Sequence, residues 1–190
     1  MSIVDNVANI LGPQWIEGKN KLYAGCGKNK IPGWINLDGY AHQNPDVIAN
    51  LNSPLPFIDS SFDVILCSHT LEHVDNTMFT MYEFNRVLRI GGHLIVVVPY
   101  GFSDVGMCNP LHKHFFSQNT FGYFIKSTYE GDNAGLGAHQ GMPLGDWKIE
   151  LVNMAPYDEF VDNPNLNFLA SHCFNIINEL RVVMTKTDGK

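Results

Sequence analysis

Two glycines and one carboxylate stand where apolar segments of the sequence end. Gly25 and Gly27 follow the apolar residues 22–24, and Asp38 follows the largely apolar residues 34–37. Glycine lets the backbone approach a ligand closely, and a carboxylate accepts hydrogen bonds from ribose hydroxyls. Because ligands of open α/β sheets bind at the carboxyl ends of the strands, this order predicts a site for an adenosine-bearing cofactor.

Three histidines are candidate bases for a reaction at a protonated nucleophile, because imidazole titrates near neutral pH. His69 comes shortly after the apolar residues 62–67, whereas His112 and His114 lie in the segment NPLHKHFF, residues 109–116. This segment either closes over an acceptor or forms a partly buried turn with aromatic anchors. His69 is the strongest candidate, since it follows a predicted strand at its carboxyl end.

Apolar periodicity places these residues on an α/β scaffold. Continuous apolar runs predict a covered, mostly parallel, doubly wound sheet of the Rossmann-like kind. A helix over residues 75–89, with Asp75 as its N-cap and Gly91 and Gly92 closing it, completes a βαβ unit. Strands are predicted over residues 22–24, 34–37, 47–49, 62–67, 93–99, 148–154 and 179–185, the last one antiparallel, and shorter helices over 3–11 and 117–125.

The connection between the first two predicted strands is unusually short. Residues 28–33 are too few for a crossover helix between parallel strands. Residues 39–46 are similarly short. We therefore expect a sheet that is trimmed of some of its helices.

Composition limits the class of protein. With 190 residues, 45% of them hydrophobic, the chain can bury one core, so a single domain over residues 1–190 is predicted, with residues 101–147 as a lid or acceptor-binding insertion. A formal charge of −7 and the lack of an apolar run of about 18–20 residues favour a cytoplasmic protein without a membrane or nucleic-acid partner. The cysteines form no CxxC pair, so buried reduced thiols are predicted at Cys26, Cys67, Cys108 and Cys173.

Five separated motifs, in the right order, together resemble the class I S-adenosylmethionine-dependent methyltransferases, and within them the small type 11 methyltransferases. The resemblance covers about residues 20–100, and residues 101–190 match only loosely. The matching positions are Gly25, Gly27, Asp38, Asn50, Leu51, Leu55, Pro56, Phe57, Asp59, Ser61, Phe62, Asp63, Leu71, Glu72, His73, Gly91, Gly92 and Pro99.

The resemblance implies S-adenosylmethionine as cofactor and assigns its contacts. Asp38 would hold the ribose, Asn50 and Leu51 would flank adenine, and Ser68 and His69 would face the sulfonium and the incoming nucleophile. The family more often has Asp at the position of Asn50, whose amide oxygen could pair with the adenine amino group. The backbone that borders the methionine portion would come from Ala24, Gly25, Cys26 and Gly27.

The implied reaction is methyl transfer to an O or N atom of a small-molecule acceptor. A DPPY-like phrase is absent after the fourth strand, as is a Pro-Cys nucleophile, which argues against the methylation of nucleic-acid bases. A noncatalytic binding or scaffold domain of the same fold is the alternative.

Metal-dependent readings are weaker. Residues 69–73 spell HxxEH, which matches an inverted zinc-protease signature, but that motif needs a helix and a further ligand. His112 and His114 would be a ligand pair on a strand, yet no third ligand is near them in the sequence. No bound metal is predicted. A nicotinamide enzyme is disfavoured because Lys30 stands where a GxGxxG motif needs glycine.

Overall fold

The computed structural model describes residues 8–9, 12–18, 20–125 and 146–188, and its centre is a seven-stranded sheet. The strand order is β3-β2-β1-β4-β5-β7-β6. The five strands from β3 to β5 are parallel, and β7 is antiparallel to both β5 and β6. The predicted mostly parallel α/β sheet with an antiparallel C-terminal strand is therefore confirmed. The strands are β1 (Lys21–Ala24), β2 (Ile35–Asp38), β3 (Val47–Ile48), β4 (Phe62–Ser68), β5 (Leu88–Pro99), β6 (Trp147–Pro156) and β7 (Ile177–Lys186).

Helix α1 (Thr77–Val87) crosses between β4 and β5, but its two ends differ from the prediction. The N-cap is Asn76 rather than Asp75, because the Asn76 side chain accepts a hydrogen bond from the Phe79 amide. The C-terminal end needs no glycine, since Lys186 donates to the carbonyl oxygens of Asn85 and Leu88 at 2.8 Å each. Residues 91 and 92 accordingly belong to β5.

The connection from β1 to β2 contains no helix, as the short spacing predicts, although the two strands are parallel. The buried side chain of Asn36 holds this loop instead. Its oxygen accepts from the Ile31 amide at 2.8 Å, and its amide group donates to the carbonyls of Ile31 and Trp34. Ile31 and Trp34 are buried in the core that covers one face of the sheet. The loop therefore covers part of the sheet face that a crossover helix would otherwise cover.

Asp46 also stabilises the loop between β1 and β2, from its outer side. Its carboxylate accepts hydrogen bonds from Lys30 and from both the backbone and side-chain amides of Asn36. These hydrogen bonds, that from Lys30 foremost, lower the pKa of Asp46 to about 2. The carboxylate therefore stays charged throughout the neutral and mildly acidic range.

The chain after β5 is only partly regular. Helices α2 (Asp104–Cys108) and α3 (Leu166–His172) are short, and residues 117–125 contain a 3-10 helix, Thr120–Phe124, where a longer helix was predicted. The main core contains Phe116, Phe121 and Phe124. These three side chains therefore anchor this part of the predicted insertion to the core. Of the predicted helix over residues 3–11, positions 8 and 9 are described and helical, while residues 126–145 of the predicted insertion lie outside the described residues.

The cysteine prediction is half correct. Cys26 and Cys67 are buried free thiols, and burial raises the pKa of both. Cys108 and Cys173 are free but exposed, because they lie at the ends of the short helices α2 and α3. Within the described residues, no helix is both long and apolar enough to cross a membrane.

Candidate functional site

A cavity of about 600 Å³ opens at the carboxyl ends of β1, β2 and β4. Its volume lies within the roughly 300–1,000 Å³ that is usual for small-molecule sites. Five of the predicted cofactor residues line it, namely Gly25, Gly27, Asp38, Asn50 and Leu51. Ala24, Cys26 and Ser68 are buried and lie behind this lining. We refer below to the part of the cavity beside Asp38 and Leu51 as the β2 end and to the part beside His69 and His73 as the histidine end.

The glycine turn after β1 bends over the end of β2. The amides of Gly25 and Cys26 both donate to the Leu37 carbonyl, at 2.8 and 3.0 Å. Gly25 and Gly27 have φ angles of 74° and 51°, which side chains rarely adopt. A Cβ on Gly25 would lie 2.2 Å from the Thr70 hydroxyl, whereas a Cβ on Gly27 would meet no atom within 4 Å. Gly25 is therefore needed for packing, and Gly27 leaves space inside the cavity.

The Asp38 carboxylate is fixed by the backbone on both sides. Oδ2 accepts from the Gly27 amide at 2.8 Å, and Oδ1 accepts from the Tyr40 amide at 2.9 Å. The residue is only 7% exposed. Because each carboxylate oxygen has about two acceptor positions, both oxygens keep one for a ligand. This arrangement suits a vicinal pair of hydroxyls such as a ribose offers.

Asn50 and Leu51 form one side of the β2 end. The Asn50 oxygen accepts from the Asn52 amide at 2.9 Å, so one of its acceptor positions is used within its own turn. Asn52 in turn accepts from the Asp75 amide, which ties this loop to the segment that precedes α1. Leu51 and Val74 supply apolar surface against which a flat aromatic ring can pack.

His69 stands at the histidine end in a left-handed backbone conformation, with φ of 49°. Its Nε2 lies 3.3 Å from Oε2 of Glu179 on β7. The bond to Glu179 raises the pKa of His69, although burial opposes this. Arg181 donates to the other Glu179 oxygen at 2.7 Å, so the imidazole has a fixed acidic partner.

Sequence reasoning missed two residues of this site, Glu179 and Thr70. Glu179 is 110 positions from His69, and its signal in the sequence is an acidic residue at the start of the predicted strand over residues 179–185. Thr70 donates toward the carbonyls of Gly25 and Ser68 at 3.2 and 3.0 Å. It therefore joins the glycine turn to the end of β4, and nothing in its spacing indicates that.

His112 and His114 lie beside the cavity rather than in its lining, while Leu111 and Lys113 from the same segment do line it. Nε2 of His114 lies 2.9 Å from the Val74 carbonyl oxygen, and Nδ1 of His112 lies 2.8 Å from that of Gly106. The residues of the HxxEH phrase do not share a helix. Leu71–His73 is a 3-10 helix, so the geometry on which the zinc-protease interpretation depends is not present.

Several motif residues shared with the methyltransferases are structural. Arg86 on α1 donates to the carbonyls of Leu55 and Phe57 and to the carboxylates of Asp59 and Glu83. The buried Glu83 accepts from the Leu55 amide as well. This network holds the loop that leads into β4, away from the cavity.

Comparison with known proteins agrees with this geometry. Residues 35–96 match the family model described as a methyltransferase domain. A segment of 44 residues is 50% identical to an uncharacterised protein of Methanocaldococcus jannaschii, and the match covers 23% of this chain and about a fifth (19%) of that protein.

Solved structures share the fold across nearly the whole chain. An S-adenosylmethionine-dependent methyltransferase of Archaeoglobus fulgidus is 16% identical, with a TM-score of 0.64, and the alignment covers 97% of this chain and 93% of the other. One from Mesorhizobium loti is 15% identical, with a TM-score of 0.58 and coverage of 96% and 100%. Residues 35–96 are thus similar to a methyltransferase domain, and the chain has the fold of S-adenosylmethionine-dependent methyltransferases, enzymes whose cofactor is S-adenosylmethionine.

The residues present fit that cofactor. The open space beside Gly27 admits a ligand close to the backbone, and the two free acceptor positions of Asp38 match a ribose diol. Leu51 and Val74 offer a surface for adenine. When bound, the cofactor supplies an activated methyl group.

Proposed function

We propose that this protein transfers a methyl group from S-adenosylmethionine to an O or N atom of a small-molecule acceptor. The observation that carries the proposal is one cavity that joins a fixed carboxylate, Asp38, to an oriented imidazole, His69. The first suits the adenosyl part of the cofactor and the second suits an acceptor.

In this proposal the β2 end holds the cofactor. Asp38 accepts the ribose hydroxyls, the backbone at Gly25 and Gly27 borders the methionine portion, and Leu51 packs against adenine. The part of Asn50 that remains for adenine is its amide group and one acceptor position of its oxygen. Ala24, Cys26 and Ser68 support the turn from behind.

His69 contacts the acceptor. Its position at the carboxyl end of β4 is where ligands of open α/β sheets bind. Glu179 accepts a hydrogen bond from Nε2 of His69. In this neutral tautomer Nδ1, on the other side of the ring, carries no proton and faces the molecule that is to be methylated. Where the nucleophile carries a proton, His69 is the group that receives it.

We assign His112 and His114 to supporting the site rather than to receiving that proton. Each has one ring nitrogen next to a backbone carbonyl, and neither lines the cavity. Leu111 and Lys113, between and beside them, face the acceptor instead. Lys113 is paired with Asp75, so it adds no free positive charge for a phosphate backbone.

The test has two parts. Isothermal titration with S-adenosylmethionine and with S-adenosylhomocysteine measures cofactor binding, and transfer of a labelled methyl group to a fractionated cell extract identifies the acceptor class. We expect saturable binding of both compounds and label in the small-molecule fraction. Label in nucleic acid or protein would contradict the acceptor class, whereas binding without any transfer would favour the noncatalytic alternative. Failure to bind either compound would overturn the proposal.

A further inference from the structure

A separate group of polar side chains lies at the histidine end of the cavity. Glu72, His73 and His112 each offer one ligand atom, and these atoms all lie within 4.8 Å of one another. Two imidazoles and one carboxylate form a donor set that zinc takes in catalytic sites, where a fourth position stays open. We propose that these three residues bind one divalent transition-metal ion of the Zn²⁺ class.

The carboxylate of Glu72 is the first argument. The residue is 1% exposed, and its Oε2 has no hydrogen-bond partner among the described residues. Its Oε1 lies 3.8 Å from Nδ1 of His69 and 3.9 Å from Nε2 of His73, which is too long for a hydrogen bond. Buried charges are paired or coordinate metals, so a cation between Glu72 and the imidazoles would give the unpartnered Oε2 a partner.

The orientation of the two imidazoles is the second argument. Nδ1 of His73 lies 3.1 Å from the Leu111 carbonyl oxygen, and Nδ1 of His112 lies 2.8 Å from the Gly106 carbonyl oxygen. A carbonyl only accepts, so both rings carry their proton on Nδ1 when neutral. Each Nε2 then has a free lone pair. Histidines that bind metals through one ring nitrogen commonly donate the N–H of the other to a backbone carbonyl in this way.

The backbone already brings the two chain segments together. The amides of Lys113 and His114 donate to the Glu72 carbonyl, at 2.8 and 3.3 Å. The contact of His114 with the Val74 carbonyl adds a further clamp. Ligand atoms around tetrahedral zinc are about 3.3 Å apart, given bonds of about 2 Å, so the three groups have to approach by up to about 1.5 Å. Small rotations of the partly exposed imidazoles supply this movement.

The site cannot be recognised from the sequence, because Glu72 and His112 are far apart in the chain. His114 is much nearer to His112 in the sequence and is therefore the more obvious second ligand. The cluster borders the proposed acceptor space, since His73 and Leu111 line the cavity. An open coordination position would face that space. A contact between the metal and an acceptor rests on the proposed methyl transfer, whereas the binding of metal does not.

Metal binding is tested on the whole chain after treatment with a chelator. Zn²⁺ alone is added in isothermal titration, and Co²⁺ alone in absorption spectroscopy. We expect one ion per chain and, with Co²⁺, the visible absorption of a tetrahedral site. Removal of a group that only hydrogen-bonds a metal ligand lowers metal affinity about 10- to 100-fold. The variants Glu72→Gln, His73→Ala and His112→Ala each change a ligand itself, so each should weaken binding by about 100-fold or more.

An exposed histidine serves as the control. His172→Ala removes an imidazole on α3, away from the cluster. This variant should bind the metal within about tenfold of the wild-type affinity. Thermal unfolding of each variant without ligand shows whether it is folded and does not depend on the proposed function.

Three results would overturn the metal site. The first is the absence of stoichiometric Zn²⁺ or Co²⁺ binding by the wild-type chain. The second is equal affinity in the wild type and Glu72→Gln, and the third is a loss in His172→Ala as large as that in His73→Ala. If the ligand variants do not fold, the Co²⁺ spectrum of the wild-type chain decides, and a spectrum without tetrahedral bands counts against the site.

Discussion

Nε2 of His69, just after β4, and Oε2 of Glu179 on β7 lie 3.3 Å apart, although 110 positions of the chain separate the two residues. Glu179 is largely buried and also bound by Arg181, so it cannot turn freely away from the imidazole. The orientation of the proposed acceptor-contacting residue is therefore set by the last strand of the sheet.

Substitutions at His69 and Glu179 should lower kcat more than they weaken the binding of the cofactor. A positioned acid–base group contributes about 10²- to 10⁴-fold, so His69→Ala should lower kcat about 100-fold or more. Glu179→Gln should have a smaller effect, because the imidazole remains but loses its charged partner. The measurements are kcat with the identified acceptor and the Kd for S-adenosylmethionine. Glu159→Gln, in the 3-10 helix Asp158–Phe160, is the control, and a normal kcat in His69→Ala would refute the assignment.

His69 also allows a test of backbone strain. A left-handed conformation costs an ordinary side chain about 1–2 kcal/mol and costs glycine much less. We therefore expect His69→Gly to unfold at a higher urea concentration than His69→Ala, by about 1 kcal/mol in the free energy of unfolding. Both variants should show a similarly lowered kcat. Equal stability of the two would mean that the φ angle of 49° is not maintained in solution.

Asp38 should contribute to cofactor affinity through its two remaining acceptor positions. Loss of hydrogen bonds to a charged group costs about 1–3 kcal/mol, so Asp38→Ala should weaken S-adenosylmethionine binding about 5- to 150-fold. Isothermal titration measures this change. Asp46→Ala is a matched control, because Asp46 also follows β2 and accepts backbone and side-chain hydrogen bonds but does not line the cavity. Its Kd should stay near that of the wild type, and an unaltered Kd in Asp38→Ala would exclude the ribose contact.

The two glycines of the turn should respond differently to alanine. In Gly25→Ala the new Cβ would overlap Thr70, so the main effect should be on stability, with a loss of about 1–3 kcal/mol. In Gly27→Ala the Cβ meets open space, so the protein should fold with a smaller loss of about 1 kcal/mol and bind the cofactor more weakly. Thermal unfolding with and without S-adenosylmethionine separates the two effects. A reversed order would show that the turn has a different conformation.

Arg86 provides a test of pH dependence away from the cavity. Burial works against ionisation of Glu83, but the hydrogen bonds from Arg86 and the Leu55 amide outweigh it, and the pKa of Glu83 is lowered. A lowered folded-state pKa contributes stability above the unfolded value of about 4.3, and this stability is lost as the pH falls through the folded value.

Arg86→Leu leaves the buried Glu83 carboxylate without its partner and should cost about 3–5 kcal/mol at pH 7. The deficit relative to wild type should be smaller at about pH 4, because Glu83 without Arg86 becomes protonated at a higher pH than in the wild type. Urea unfolding at both pH values measures it. Arg89→Ala is the control, because its pairing with Asp63 is more exposed and should contribute about 0–1 kcal/mol. A deficit that does not depend on pH would contradict the role of Glu83.

The strands of the first half and the glycine turn could be predicted from the sequence, because apolar runs and glycine positions report local requirements of a buried parallel sheet. The trimmed connection between β1 and β2 could be predicted as well, since it depends only on the number of residues. What replaces the helix could not, because the role of Asn36 depends on its burial beside Ile31 and Trp34.

Contacts between distant parts of the chain account for most of what the sequence does not reveal. Lys186 binds the backbone carbonyl oxygens at the C-terminal end of α1, so the helix ends without a glycine. Gly91 and Gly92, which resemble a helix end in the sequence, lie in β5 instead. Glu179 and Thr70 meet the predicted site residues only after the sheet has formed. Glu72 and His73, rather than its neighbour His114, offer ligand atoms within 4.8 Å of that of His112, because the segment that follows α2 is held against the turn after β4.

The two ends of the cavity have separate origins along the polypeptide. The proposed contacts for the methyl donor come from residues 25–74, whereas His112, Lys113 and Glu179, near the proposed space for the recipient, come from the second half of the chain. Recipient preference can therefore diverge, in nature or by grafting, through exchange of later segments while the donor contacts stay unchanged.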